Sequence, residues 1–246
     1  MGIKYKINES FFEKWSPNMA YVLGYIYADG SLDDSPYMRG KYIQIASIDK
    51  DSIERIKNFL NSEHKITEKK SNFIGSKICF VLRIGSHKIY NDLFKLGLYP
   101  NKSLTVNFPK VPQKYLGHFI RGYFDGDGCV HFARIKGKRD KLIIKRVRVI
   151  FTSGSKIFLE NMNEVLKIVG VEEGKIYSSK RSYQAIYNTK NSIRLFKLMY
   201  KKTGVNSFFM RKFRIFNNYF ELQPKAVDNT IRKIIDLHIN GVVAKW

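Results

Sequence analysis

The sequence predicts an α+β chain made of two pseudo-twofold-related halves, each running α-β-β-α-β-β-α. Three observations predict it: a nonapeptide that occurs twice, the same succession of strand-like and helix-like segments after each copy, and a proline-rich stretch between them. The first copy, residues 22–30, reads Val-Leu-Gly-Tyr-Ile-Tyr-Ala-Asp-Gly, and the second, residues 120–128, reads Ile-Arg-Gly-Tyr-Phe-Asp-Gly-Asp-Gly. Gly, Tyr, a bulky apolar residue, a small residue, Asp and Gly recur in register.

After each motif comes a strand pair, which in the first half includes residues 42–47, and then a helix of 3.6-residue apolar period, at 49–60 and again at 155–169. A second strand pair and a second helix follow, at 87–96 and 191–201. Residues 99–112 hold three of the six prolines (Pro100, Pro109, Pro112) and read as an extended linker. The expected boundaries are 1–108 for the first half, 109–225 for the second and 226–246 for an accessory helix and tail packing on the second half. Two equal halves in one chain are the covalent counterpart of a C2 dimer, so a monomer is expected.

Lys and Arg number 44 against 21 Asp and Glu, a net charge of +23 and a pI near 9.9. A field this positive seeks a polyanion, nucleic acid first. The apolar stretch around the first motif, residues 19–28, falls short of the ~20 residues that span a bilayer, which argues against a membrane. No secretory presequence opens the chain, and an intracellular setting is expected. Cys79 and Cys129 sit in apolar strand-like contexts without ligand-spaced partners and read as core residues; the five histidines are scattered, so a zinc site is unsupported.

Gly24 and Ala28, and likewise Gly122 and Gly126, are four residues apart and make a side-chain-poor ridge on each motif helix, allowing approach closer than the usual 8–10 Å or so. Asp29 and Asp127 fall in the last turn of these helices, each before a glycine (Gly30, Gly128) suited to a left-handed cap. A carboxylate there faces the negative end of the helix dipole, and two such ends side by side call for a hard cation. Mg²⁺ is the expected metal, held by Asp29 and Asp127 with the carbonyls of Ala28 and Gly126. One Asp-Gly at a helix end is an ordinary cap, but two on apolar helices in equivalent halves of a strongly basic chain point to a catalytic pair.

The two nonapeptides resemble the paired motifs of the LAGLIDADG homing endonuclease family in its single-chain, two-motif form. Leu-Tyr-Pro-Asn-Lys-Ser-Leu at 98–104 and Met-Arg-Lys-Phe-Arg at 210–214 are similar to that family's segments near the end of each half. Tyr27 stands where the pattern has its first Asp, which Asp125 keeps in the second copy. The resemblance implies two four-stranded antiparallel sheets forming a DNA-binding saddle, and hydrolysis of both strands of a long asymmetric target across the minor groove. It implies Mg²⁺, with Mn²⁺ as a substitute. It further implies that Gln44 orients water and that Lys102 and Lys212 stabilise transition-state charge.

Eight of the fifteen residues 134–148 are Lys or Arg. Arg134, Lys136, Lys138, Arg139 and Lys141 are expected to reach phosphate, together with Lys180, Arg181 and the basic run at 211–214. In Arg146-Val147-Arg148-Val149 the arginines face one way and the valines the other. Tyr42, Gln44, Arg83, Arg146, Arg148, Tyr183 and Tyr187 are candidate base readers. Alternatives on the same fold are a group I intron maturase that binds intron RNA and a noncatalytic DNA-binding regulator; the paired aspartates favour the nuclease. The Lys-Trp ending differs from the His-Asn ending of protein splicing, so an intron-borne or free-standing gene is expected.

Overall fold

The computed structural model describes residues 5–34, 40–70, 77–136, 142–204 and 207–240. The first repeat contains α1 (Pro17–Asp29), β1 (Gly30–Asp33), β2 (Tyr42–Ser47), α2 (Lys50–Phe59), β3 (Ile66–Lys69), β4 (Cys79–Gly85) and α3 (His87–Lys95). The second contains α4 (Leu116–Asp127), β5 (Gly128–Lys136), β6 (Leu142–Ser153), α5 (Lys156–Ile168), β7 (Lys175–Ser179), β8 (Ser182–Tyr187) and α6 (Thr189–Tyr200), followed by α7 (Met210–Leu222) and α8 (Asn229–Ile235). Each repeat therefore has the predicted α-β-β-α-β-β-α order. Among the described residues, no helix is long and apolar enough to cross a membrane.

Local chemistry starts the helices where the periodicity places them. Ser16, Asp49, Ser86, Ser155, Asn188 and Asp228 each accept a hydrogen bond from a main-chain N–H in the first turn of the helix that follows. Pro17 opens α1, where its missing N–H costs nothing.

Both sheets are four-stranded and antiparallel, in the orders β1-β2-β4-β3 and β5-β6-β8-β7. Alternation sorts each into two faces. Ile43, Ile45, Leu82 and Ile84 are buried on one face of the first sheet, and Val130, Val147, Val149 and Phe151 on one face of the second. On the opposite faces, cross-strand register groups Tyr42, Gln44 and Arg83 in the first sheet and His131, Arg146, Arg148 and Gln184 in the second.

The compact units divide after Gly126, not at the repeat boundary: α4, up to Gly126, packs within the first unit. The reason is its contact with α1. A Cβ built on Gly24 would lie 2.1 Å from the Phe119 carbonyl oxygen, and one on Gly122 would lie 1.9 Å from that of Tyr21, so the helices touch backbone to backbone. Tyr27 and Phe119 flank the contact edge to face, at a 5.4 Å ring separation. The Tyr21 hydroxyl donates to Asp125 Oδ2 at 2.7 Å inside the interface. Burial first, and then the Asp125 charge, hold the Tyr21 hydroxyl well above its ordinary pKa, so it remains a donor. The buried Arg121 guanidinium lies over the Tyr21 ring and within 3.1 Å of His118 Nδ1.

In the second unit, α6 and α7 enclose Phe196, Tyr200, Phe208, Phe213, Phe216 and Phe220 in mutual edge and tilted contacts. The accessory helix lies on this cluster. Ile231 and Ile234 are buried, and His238, in a π-helical turn at Asp236–Asn240, meets Phe208 and Phe213 edge to face.

Three expectations are corrected. Gly30 is not a left-handed cap: at φ −101° it is extended, because α1 runs directly into β1, and its missing side chain makes room for Ile26. The left-handed glycines among the described residues are Gly40, Gly97 and Gly170. The linker is not simply extended, since a 3-10 turn at Lys102–Leu104 interrupts it and buries Lys102. Cys129 is exposed and Cys79 half-buried, because both lie on the outward phase of their strands.

Two stability predictions follow from the α1–α4 contact. Gly24→Ala gains about 0.5–1 kcal/mol of helix propensity. The clash with a backbone carbonyl outweighs it, and a net loss of about 3 kcal/mol is expected in urea unfolding. Gly204→Ala, with nothing near its Cβ, should stay within about 0.5 kcal/mol of the parent. Tyr21→Phe removes a donor from a buried carboxylate and should cost roughly 1–3 kcal/mol in the same assay; an unchanged midpoint would mean the bond is dispensable.

Candidate active site and nucleic-acid interface

In the first unit, α1 ends in Asp29, half-buried, and Gly126 of α4 lies against it. A Cβ at Gly126 would be 2.5 Å from Ala28 Cβ and 3.1 Å from Asp29 Oδ2. The small residues before the two aspartates are therefore what lets the Asp29 carboxylate approach the α4 backbone. One turn back, the Tyr25 hydroxyl is pushed up by burial and then by the Asp29 charge, with Ser47 and Ser52 as hydrogen-bond partners. Asp127 is the next residue after Gly126, the last of α4, and is half-buried.

A buried lysine stands at each motif. Lys102, 5% exposed, donates from Nζ to the Tyr27 carbonyl oxygen at 2.9 Å in the first unit. Lys212, 8% exposed, donates to the Gly128 carbonyl oxygen at 2.6 Å in the second. The last carbonyls of a helix lack intrahelical partners and lie at its negative end, so an ammonium there is favourable on both counts. Gln44, half-exposed on β2, sits opposite Ser31 of β1 and Arg83 of β4.

The donors at these helix ends are carboxylate and carbonyl oxygens, the set that suits a hard divalent cation. Among the described residues, no group of three or more His, Cys, Asp or Glu side chains gathers to hold a metal. The donor chemistry at each helix end fits Mg²⁺ or a similar hard ion.

On the outward face of the first sheet, the Arg83 guanidinium lies 4.3 Å from the centre of the Tyr42 ring, a cation–π contact. On the second sheet Arg146 and Arg148 are exposed, and the valines between and after them are buried. Lys180 and Arg181 are exposed at the β7–β8 turn.

Contrary to expectation, Tyr187 is turned away from the outward face: it is fully buried and its hydroxyl donates to Asn163 Oδ1 at 2.6 Å. Tyr183 has the same inward phase, opposite Ser153, and the outward position belongs to Gln184, opposite Thr152. Sequence reasoning did not place Gln184 on the outward face, since in Ser-Tyr-Gln-Ala-Ile-Tyr both phases carry apolar residues and the register alone decides; His131 also lies outward, opposite Arg148. Arg134 and Lys136 lie on β5, with side chains outside the described residues, as are Lys138, Arg139 and Lys141.

Comparison with known proteins agrees with this fold. Residues 114–199 match a LAGLIDADG-like domain model. Among solved structures, the I-LtrWI LAGLIDADG homing endonuclease bound to target DNA superposes with a TM-score of 0.56 at 13% identity, covering 94% of this chain and 97% of its own. The LAGLIDADG meganuclease I-AabMI bound to uncleaved DNA gives 0.55 at 13% identity, covering 91% and 98%. I-SmaMI, bound to uncleaved DNA in the presence of calcium ions, gives 0.52 at 15% identity, covering 90% and 98%.

Curated relatives by sequence include a probable translation initiation factor IF-2 from Methanocaldococcus jannaschii, 28% identical over 172 residues. A reverse gyrase from the same organism is 27% identical over 188 residues. These matches cover 67% and 76% of the chain but only 12% and 10% of those proteins, so the chain spans a small part of their length. The family model thus matches part of the second half, and the chain as a whole has the fold seen in the LAGLIDADG homing endonucleases.

Proposed function

We propose that this chain is a site-specific endonuclease that hydrolyses both strands of a long asymmetric DNA target across the minor groove, acting as a monomer with Mg²⁺, for which Mn²⁺ substitutes. The observation that carries this reading is the approach of the Asp29 carboxylate to Gly126, whose neighbour in sequence is Asp127. Asp29 and Asp127 would hold the cation with the carbonyls of Ala28 and Gly126. A divalent cation bound there supplies Lewis acidity at the scissile phosphate and lowers the pKa of water. Lys102 and Lys212 offset the repulsion of the two carboxylates and the charge that develops on phosphate. Gln44 orients the attacking water through its amide. The outward sheet faces, bearing Arg83, Arg146 and Arg148, carry DNA affinity and selectivity.

Asp29→Asn and Asp127→Asn remove a carboxylate charge each without changing shape. Either should lower cleavage of DNA in Mg²⁺ by about a thousandfold or more and leave DNA affinity nearly intact. The measurement is end-sequencing of a randomised double-stranded library after incubation with Mg²⁺, against an EDTA control. Variants that still cut would overturn the site assignment, and tight RNA binding without any DNA cleavage would move the function to RNA.

Affinity should fall steeply with salt. If six to ten phosphates are engaged, binding weakens by about 10³- to 10⁵-fold between roughly 50 and 200 mM salt. Fluorescence anisotropy titration checks it, and a flat salt response would exclude a phosphate-tracking surface.

A further inference from the structure

The second sheet carries an arrangement that assigns part of the target. Arg146 and Arg148 are consecutive outward residues of β6, both exposed, and Val147 between them is fully buried, so the strand cannot roll to hide either. Among the described residues, no ion pair engages them. Arg148 stands opposite His131 and Arg146 opposite Ala133, the last pair before the register shifts at a bulge. These two arginines therefore lie within the regular part of the β5–β6 register.

The outward phase of this sheet also holds Lys175 and Gln184, and no carboxylate occurs on it among the described residues. The first sheet differs, since Asp33 occupies its outward phase opposite Tyr42.

Two outward residues of one strand are about 6.8 Å apart. Base pairs rise by about 3.4 Å along a duplex. On a strand that runs along the duplex axis, neighbouring outward side chains address positions two steps apart. An unpaired guanidinium fork matches the O6 and N7 acceptors of guanine, which no other base edge offers in the major groove.

We propose that Arg146 and Arg148 read two guanines separated by one base pair, in the half of the target that lies under the second sheet. Among the described residues, the outward face of the first sheet offers one arginine, Arg83, in contact with the Tyr42 ring. The assignment rests on the DNA-endonuclease reading above, of which it specifies the substrate.

The test is selection of bound duplexes from a randomised library in Ca²⁺, with the 246-residue protein and its Arg146→Ala, Arg148→Ala, Arg146→Lys and Arg148→Lys variants, thermal melting serving as the check on folding. The parent is expected to enrich a site with two guanines one base pair apart. Each alanine variant should lose the preference at one of the two positions, with affinity for the parent site lowered from about fivefold to about a hundredfold.

The lysine variants keep the charge and lose the fork. They should hold non-specific affinity within about twofold while relaxing the same position. A uniform loss across all sequences with an unchanged consensus would overturn the assignment and make both arginines phosphate contacts. A parent that enriches some site without the guanine pair would also overturn it while sparing the endonuclease reading. A parent that enriches nothing would overturn both.

Discussion

The structure depends on the contact of α1 with α4 at Gly24 and Gly122. At these positions a single methyl group would collide with the carbonyl of the opposite helix, so no side chain separates the two backbones. Such proximity is gained only by giving up side-chain burial at the centre of the interface. The lost apolar area is offset around it by Tyr27 packing on Phe119 and by the buried Tyr21–Asp125 hydrogen bond. The same contact brings Gly126 against Asp29, so the feature that fixes the helix pair also sets the surroundings of the first motif's carboxylate. A unit boundary at Gly126 is then understandable, because α4 belongs to the second repeat by sequence and packs with the first by contact.

Charge at the motif ends follows from this packing. A carboxylate at a helix C-terminus is electrostatically misplaced. A buried lysine on a main-chain carbonyl beside each motif, Lys102 at Tyr27 and Lys212 at Gly128, is the compensation within the chain. Each arrives from a distant segment, a 3-10 turn in one case and the first turns of α7 in the other. Their burial, with 5% and 8% of the surface exposed, separates them from the many solvated lysines of a chain with a net charge of +23.

The two sheets show how much depends on phase. A strand displaced by one residue exchanges its buried and outward sets completely. Arg146 and Arg148 were legible in sequence because the valines beside them are unambiguous core residues. On β8 the reading failed, because tyrosines, alanine and isoleucine occupy both phases and any of them can be buried. Asn163 decides the matter, since it accepts from the Tyr187 hydroxyl and lets a tyrosine be buried without an unsatisfied polar group.

The repeat, the order of its elements, the glycine ridges and the two aspartates are local or periodic features, and the sequence by itself determined them. Helix caps and apolar periods act over a few residues, and a duplicated motif announces an architecture before any packing is known. Only the tertiary structure decided that Gly30 is extended, that α4 groups with the first unit, that Lys102 and Lys212 are buried on carbonyls and that Gln184 stands outward where Tyr187 does not. Each of these depends on partners distant along the chain, whose positions follow from strand register and helix contact and leave no periodic trace at the residue concerned.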